Sequence, residues 1–214
     1  MTTDSGRRGG AAAMGRPRVT SRAALERLAF ALFARQGFDA TTVDDIAAAA
    51  GIGRRTFFRY FASKNDLVWG DFEDHLQMLR RLLDETGRDV PPMEAIRRAV
   101  VEFNRFDPDD VPWHRQRMRL ILEVPTLHAD ATLRYASWRE IITGFVAART
   151  GLPAASTVPR LAGNVVLAAA VSAYEQWLSA EDGAALSDLL DETLRQVTAG
   201  LGAVLDPAGA ASGP

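Results

Sequence analysis

An arginine-rich segment, Arg54 to Phe61, carries the side chains that a helix needs in order to contact DNA bases. An arginine guanidinium donates two parallel hydrogen bonds to O6 and N7 of guanine, and each such pair contributes roughly 1–3 kcal/mol of discrimination. Phe57 and Phe61 lie one helical turn apart and are predicted to pack inward. The alternative interpretation is a solvated basic face over a small helical hairpin, with no nucleic-acid partner.

The predicted DNA contacts divide into base contacts and phosphate contacts. Hydroxyl and ammonium groups are suited to phosphates, and so are the exposed amides of the helix that begins at Thr42. The candidates for DNA contact are Arg54, Arg55, Arg59 and Tyr60, and those suited to phosphates are Thr42, Thr56, Tyr60 and Lys64. Arg16 and Arg18 flank Pro17 and form a basic arm that either enters an adjacent minor groove or is a solvated tail.

Charge is distributed unevenly along the chain, although the formal net charge is only −2. Residues 1–64 contain eleven basic and five acidic residues, a net charge of +6, whereas residues 65–214 contain fourteen basic and twenty-two acidic residues, a net charge of −8. A basic first part on an acidic remainder predicts that polyanions bind at one end only.

Several classes of protein are excluded or disfavoured. The chain has no cysteine, which excludes disulfide scaffolds and thiol catalysis. His75, His114 and His128 share no metal-ligand spacing, and no phosphate-binding loop or nucleophile motif occurs, so neither a metal, a cofactor nor an enzyme activity is predicted. The longest uncharged stretch near the most apolar helix, Leu161 to Tyr174, is shorter than the roughly 20 residues that span a bilayer, and a cytoplasmic location is expected.

Helical periodicity predicts an all-α fold of about nine helices. A helix from Thr20 or Ser21 to Gly37 precedes two short helices, Thr42 to Gly51 and Arg54 to about Tyr60, and this arrangement is a helix-turn-helix unit. A long fourth helix is predicted from Ser63 to about Thr86. Gly37 is predicted to be a left-handed cap, and the pairs Thr42 with Asp45 and Ser63 with Asp66 are predicted to cap the starts of the second and fourth helices. Five more are predicted at 92–106, 110–123, 130–150, 157–180 and 184–205. The predicted organisation is a disordered tail at 1–18 (with Met14 as a second candidate start), a DNA-binding domain at 19–64, a helical body at 65–205 and a second tail at 206–214.

Residues 20–67 resemble the DNA-binding domain of the TetR family of bacterial transcriptional regulators. The matching segments are FARQGF at 33–38, TTVDDIAAAAG at 41–51 and TFFRYFASKNDL at 56–67. The resemblance implies a helical ligand-binding body, a homodimer and a palindromic operator in double-stranded DNA. Gly53 stands where the family usually has a small polar residue, which implies a weaker helix cap. Phe58 stands where the family usually has tyrosine, which replaces a phosphate contact by contact with a thymine methyl group.

Aromatic residues spread over the body are candidates for a ligand cavity, with ordinary core packing as the alternative. They are Trp69, Phe72, Phe103, Phe106, Trp113, Trp138, Phe145, Tyr174 and Trp177. Arg115 and Arg119 share one helix face and either hold an anionic head group or form a solvated face.

The last two predicted helices carry facing stripes that predict a two-fold dimer interface. The small-residue stripe contains Leu161, Val165, Ala168 and Ser172, and the apolar stripe contains Leu190, Leu194, Val197 and Leu201.

Body segments such as WGDF at 69–72 and SAYE at 172–175 are similar to the TetR-family regulators associated with mycofactocin gene clusters. That resemblance implies a repressor of mycofactocin biosynthesis genes with a long-chain acyl-CoA as effector. Two alternatives stay open: an architectural or activating DNA-binding protein without an effector, and an enzyme or carrier with a basic helical end.

Overall fold

The computed structural model describes residues 21–180 and 183–205, and within these ranges the chain forms ten α-helices and no strand. The predicted all-α fold is therefore confirmed. The predicted tails, including Arg16 and Arg18, lie outside the described residues. The helices are α1 (Arg22–Gln36), α2 (Val43–Ala50), α3 (Arg54–Tyr60), α4 (Lys64–Trp69), α5 (Phe72–Asp84), α6 (Pro92–Phe103), α7 (Val111–Glu123), α8 (Pro125–Thr150), α9 (Thr157–Ser179) and α10 (Leu186–Leu205).

The chain divides into two compact units, the first ending at Leu67 and the second beginning at Val68. The first unit contains α1 to α3 and the second contains α5 to α10, while α4 spans the division. Each unit has its own buried apolar core.

Local capping fixes the helices of the first unit. Ser21 accepts a hydrogen bond from the backbone of Ala24 at the start of α1. Thr42 and Asp45 form a reciprocal capping box at the start of α2, as the sequence predicts. Gly51 ends α2 in the left-handed conformation, at φ 67°. Gly37, predicted to be a left-handed cap, instead has φ 86° and ψ 157°, a conformation that is also essentially restricted to glycine.

The predicted long fourth helix is wrong, because the chain breaks it at Gly70. Ser63 and Asp66 start α4 as expected, with the Asp66 amide donating to Ser63 Oγ at 3.0 Å. Gly70 then adopts φ +60°, and a Cβ at this position would lie 2.8 Å from Nη1 of Arg117. The break is thus at a glycine against which a side chain of α7 packs, 47 positions further along the sequence.

The second unit is a helical body in which α9 packs between α8 and α10, and α6 packs against α10. Val124 is extended because it precedes Pro125, which separates α7 from α8 and starts α8 five residues before the predicted position. The core combines large aliphatic and aromatic side chains with alanines that allow close helix packing, including Leu79, Ile96, Val100, Ile142, Val146, Val166, Ala173 and Trp177. None of the helices within the described ranges is both long and apolar enough to cross a membrane.

Candidate nucleic-acid interface and aromatic cluster of the body

The helix α3 has one buried and one exposed face, as the spacing of its phenylalanines predicts. Phe57 is completely buried, and its ring contacts Phe61 at a centroid distance of 5.7 Å. Arg54, Arg55 and Arg59 are exposed on the rest of the helix. The packing of α3 within the first unit therefore leaves its arginine face open for a partner.

Arg55 and Arg59 are the two arginines of α3 that have no ion-pair partner in the described part of the chain. No hydrogen bond holds the Arg55 side chain there, and the Arg59 guanidinium lies 5.4 Å from the centre of the Tyr60 ring. A guanidinium that is not engaged in the protein keeps its five donors for base edges or phosphates. The geometry is thus compatible with the contacts predicted for both residues.

Arg54 is engaged with two side chains of the same unit. Its Nη1 donates to Oδ2 of Asp44 on α2 at 2.8 Å. Its guanidinium carbon also lies 5.5 Å from the centre of the Phe58 ring, and that ring is 44% exposed. Sequence reasoning missed Asp44, because a carboxylate on a surface predicted to bind DNA gives no signal of its own.

Thr42 uses its hydroxyl for helix capping. Its Oγ1 donates to Oδ2 of Asp45 at 2.6 Å and accepts from the Asp45 amide at 3.1 Å. The hydroxyl and the backbone amide of Thr42 both donate to the Asp45 carboxyl, and these two hydrogen bonds lower its pKa. Asp44 and Asp45 place negative charge in the first turn of α2, so a phosphate at this helix start would meet carboxylates as well as amides. The phosphate role of Thr42 stays a prediction.

Lys64 anchors the loop between α1 and α2. Its Nζ donates to the carbonyls of Phe38 and Thr41 at 2.7 and 2.8 Å, and lies 4.1 Å from the centre of the Phe38 ring. Desolvation lowers the pKa of the ammonium. Two of its three donors are thus used inside the first unit, and its predicted contact with phosphate would rely on the third. Thr56 and Tyr60 are half-buried on α3, and their roles also stay predictions.

Gly53 precedes α3 without a side-chain cap, as its residue type implies. Replacing it by serine is expected to stabilise the first unit by about 0.5–1 kcal/mol, through the added cap and reduced freedom of the unfolded chain. The backbone at φ −80° accepts any residue, and a Cβ there would meet no atom within 4 Å. Urea unfolding measures the gain. Gly51→Ser is the matched control, because serine in a left-handed conformation costs about 1–2 kcal/mol. Equal changes in both variants would contradict this interpretation of Gly53.

In the second unit, four predicted ligand-site residues lie close to His114. The His114 ring stacks on Phe106 at a centroid distance of 3.8 Å and lies 5.9 Å from Trp177. Its Nε2 is 2.8 Å from Tyr174 Oη. Arg115 completes the group, with its guanidinium 5.0 Å from the Trp177 ring. A cleft of about 330 Å³ lies beside this aromatic cluster and is lined by residues that include Phe106 and Trp177.

A chain of hydrogen bonds fixes the tautomer of His114. Tyr174 donates its hydroxyl proton to Oδ1 of Asn104 at 2.5 Å. The side-chain amide nitrogen Nδ2 of Asn104 in turn donates to the carbonyl of Val100 at 2.7 Å, which orients Oδ1 toward Tyr174. The oxygen of Tyr174 must therefore accept from His114, which places the imidazole proton on Nε2. Burial, with smaller effects of Arg117 and His75, lowers the pKa of His114 to about 3. Sequence reasoning did not connect these residues, because 60 positions separate His114 from Tyr174.

Because His114 is held as a neutral, half-buried ring, the body is expected to lose stability as the pH falls from 6.5 to 5. In this range an unfolded histidine increasingly binds a proton and the folded one does not, so the free energy of unfolding falls with a slope that approaches about 1.4 kcal/mol per pH unit toward pH 5. Urea unfolding at several pH values measures the slope.

His114→Gln supplies the control, since glutamine keeps a donor for Tyr174 and does not titrate. The variant should show a flatter dependence of stability on pH than the unchanged chain between pH 6.5 and 5. The same slope in both proteins would show that His114 is not the group responsible. Glu94, whose pKa Arg97 lowers to about 2, does not titrate in this range when the chain is folded.

A second aromatic group surrounds the break between α4 and α5. Trp69 contacts Phe72 and Tyr135 edge-on, at centroid distances of 5.6 and 6.1 Å, and the Arg134 guanidinium lies 5.0 Å from the Trp69 ring. The indole nitrogen of Trp69 and the hydroxyl of Tyr135 are buried without a hydrogen-bond partner in the described chain. Burial also raises the pKa of Tyr135 to about 12. Sequence reasoning did not include Tyr135.

The remaining aromatic candidates are distributed over the body. Phe103 contacts His75, and Trp113 lies near Arg117. Trp138 belongs to the apolar core. Phe145 lines a separate groove between α5 and α8, where Arg149 lies 5.3 Å from its ring. The structure thus places Phe106 and Trp177 beside a cleft and Trp138 in the core, and the ligand-binding role of the aromatic candidates stays a prediction.

The two arginines predicted to hold an anionic head group have other partners. Arg115 caps the end of α9, with Nη2 donating to the carbonyls of Trp177 at 2.5 Å and Ala180 at 2.8 Å. Arg119 is exposed and lies 3.6 Å from Glu123 in an ion pair. The anion-binding role stays a prediction, and it would require both guanidinium groups to change partners.

The predicted dimer stripes differ in their exposure. Leu161 is 44% exposed, Ala168 is exposed, and Val165 and Ser172 are half-buried on the same face of α9. The placement of Leu190 and Leu194 on the interface is wrong, because both side chains are buried in the core of their own chain and have no surface to offer. Val197 is half-buried against that core, and the side chain of Leu201 lies outside the described ones.

Within the described ranges, no group of three His, Asp or Glu side chains is arranged to hold a metal ion.

Two family models match the chain. Residues 27–68 match the bacterial regulatory proteins of the tetR family, and residues 90–202 match the MftR C-terminal domain. The chain belongs to the TetR family. It is a transcriptional regulator, and its first unit contains the helix-turn-helix DNA-binding motif of the family.

A curated relative agrees with this assignment over most of the TetR-family chain. MftR of Mycobacterium tuberculosis is 44% identical over 188 residues, which cover 88% of this chain and 94% of that protein. The name of that relative assigns it provisionally to the regulation of mycofactocin biosynthesis.

Solved structures share the TetR fold at low sequence identity. SmeT, the repressor of a multidrug efflux pump of Stenotrophomonas maltophilia, has a TM-score of 0.60 and 16% identity, covering 85% of this chain and 90% of that one. The repressor FadR of Thermus thermophilus, in complex with lauroyl-CoA, has a TM-score of 0.52 and 20% identity, covering 83% of this chain and 93% of that one. These similarities establish the common architecture.

Proposed function

We propose that the chain is a dimeric repressor that binds a palindromic operator through α3 and leaves it when an effector binds the helical body. The single observation that carries the proposal is the exposed arginine face of α3, opposite the completely buried Phe57. A rigid helix that presents arginines outward is suited to the major groove, where each base pair has a distinct pattern of donors and acceptors.

A dimer is the second part of the proposal. Two DNA-binding domains, one from each protomer, recognise two half-sites about one helical turn, roughly 34 Å, apart. The apolar stripe of α9, in which Leu161 and Ala168 are exposed and Val165 is half-buried, is the surface that we assign to the interface. The burial of Leu190 and Leu194 in the chain's own core leaves α9 as the main contributor among the described side chains.

The third part of the proposal is an effector site in the body. The aromatic cluster around His114 and the adjacent cleft of about 330 Å³ offer apolar surface for a chain-like ligand. The buried donors of Trp69 and Tyr135 are suited to an oxygen acceptor. The complex of FadR with lauroyl-CoA suggests a long-chain acyl-CoA as the class to test. The similarity to MftR suggests that mycofactocin biosynthesis genes are the target.

Release of the chain from DNA tests the effector proposal. Acyl-CoAs from octanoyl to stearoyl are added to a preformed complex with an operator obtained by selection from randomised duplexes, and fluorescence anisotropy follows dissociation. We expect the longer acyl chains to release DNA at micromolar concentrations and coenzyme A alone to leave the complex intact. By thermodynamic linkage, the effector must bind the DNA-free chain more tightly than the DNA-bound chain, by the same factor by which it weakens operator binding.

Trp177→Ala separates effector binding from DNA binding. The variant should bind the operator normally and require more acyl-CoA for release, because it loses the ring between His114 and Arg115. Circular dichroism checks that the helical body remains folded. No release of the unchanged chain by any acyl-CoA would contradict the proposed effector class and leave the operator-binding proposal intact.

A further inference from the structure

Arg54 is held at both sides of its guanidinium group. On one side Nη1 donates to Oδ2 of Asp44 at 2.8 Å, and on the other the guanidinium carbon lies 5.5 Å from the centre of the Phe58 ring. Asp44 belongs to α2 and Arg54 to the first turn of α3, so the contact links the two helices of the helix-turn-helix motif.

The ion pair leaves one edge of Arg54 available. Only Nη1 contacts the carboxylate, and neither Nε nor Nη2 makes a hydrogen bond within the described part of the chain. The Nε–Nη2 edge has two parallel donors, which match the adjacent O6 and N7 acceptors of guanine. A long side chain that is already restrained loses less conformational entropy when it binds.

We propose that Asp44 is a positioning residue for base recognition, which holds Arg54 so that its Nε–Nη2 edge meets a guanine in each operator half-site. The proposal rests on the proposed binding of α3 in the major groove. Asp44 acts through Arg54, and the specificity it confers is for one G·C pair in each half-site.

A contribution to folding alone does not explain this ion pair. Both side chains are strongly exposed, at 60% for Arg54 and 66% for Asp44, and exposed ion pairs contribute little to stability. A carboxylate on a surface that approaches DNA also repels the phosphates. Simple electrostatics therefore predicts that removing the charge of Asp44 strengthens binding to every sequence, whereas positioning of Arg54 predicts a loss of discrimination at one base pair.

The test compares Asp44→Asn with Asp45→Asn. Both variants remove one negative charge at the start of α2, but the Asp45 carboxylate bonds Thr42 and not Arg54. Each protein selects binding sites from randomised DNA duplexes, and anisotropy titrations then measure affinity for the recovered operator and for operators changed at single base pairs.

Arg54→Ala identifies the base pair that Arg54 reads. We expect it to reduce discrimination at one G·C pair per half-site by at least about fivefold. Asp44→Asn should reduce discrimination at the same pair by about threefold to tenfold and leave the other positions unchanged. Asp45→Asn should keep that preference. In the Arg54→Ala background, Asp44→Asn should have no further effect on it, because the positioned side chain is absent.

Each other outcome overturns the proposal and identifies which of its assumptions is wrong. If Asp44→Asn keeps full discrimination, or loses it at a position that Arg54→Ala leaves intact, Asp44 does not position Arg54. If Asp45→Asn causes the same loss, the effect comes from charge and not from the contact. If the unchanged chain selects no sequence at all, the proposed operator binding itself fails, and this inference fails with it.

Discussion

Replacing Arg55 and Arg59 together by alanine is expected to weaken operator binding by at least about 100-fold, because two arginine contacts are lost in each half-site. Both side chains are exposed on α3, and neither forms an ion pair in the described part of the chain, so their removal should not disturb the first unit. Anisotropy titrations with the selected operator and a scrambled duplex measure the change. The salt dependence should also become less steep if either guanidinium contacts a phosphate.

Arg98→Ala combined with Arg105→Ala is the matched control. Those two arginines are also exposed, but they pair with Glu94 and Glu102 in the second unit. The control removes the same number of positive charges and should leave discrimination between the operator and the scrambled duplex unchanged. If both double variants bind alike, the arginine face of α3 is not the part that reads the sequence.

The second large effect is expected at the α9 surface. Leu161→Glu combined with Ala168→Glu should convert the proposed dimer to monomers and reduce operator affinity by about 100-fold or more, because two carboxylates in each protomer would be buried in the proposed two-fold interface. Both positions are exposed in the chain itself, so the fold should persist. Sedimentation velocity gives the mass, and anisotropy gives the affinity.

Leu133→Glu controls for a general effect of added charge. Leu133 lies on α8 and is 75% exposed, more than any other large hydrophobic side chain that the structure describes. The variant should remain dimeric and bind DNA normally. A monomeric unchanged chain, or a dimer that tolerates both glutamates on α9, would contradict the proposed interface.

Local signals in the sequence predicted the first unit well. The pairs Thr42 with Asp45 and Ser63 with Asp66 are three residues apart, and their hydrogen bonds form within a single helical turn. The spacing of Phe57 and Phe61 likewise predicted the buried face of α3 without knowledge of the rest of the chain. Capping and amphipathic spacing are properties of neighbouring residues, and they can be recognised from sequence alone.

Features that depend on distant residues could not be predicted in the same way. The break at Gly70 involves Arg117, and nothing in the sequence around Gly70 shows which helix packs against it. The stripe of Leu190 and Leu194 fits a dimer interface or an intramolecular core equally well, and the packing of α10 on α6 and α9 decides for the core. The ion pair of Asp44 with Arg54 depends on the angle between α2 and α3, which the residues around either side chain do not reveal.

Selection from randomised DNA duplexes by the unchanged, full-length chain tests the central claim most directly. The claim is that two copies of α3 read a symmetric site in adjacent major grooves. The expected result is an enriched inverted repeat whose half-site centres lie about one helical turn apart, with enrichment lost in the Arg55 and Arg59 double variant. Recovery of no common sequence, or of one without two-fold symmetry, would contradict the claim.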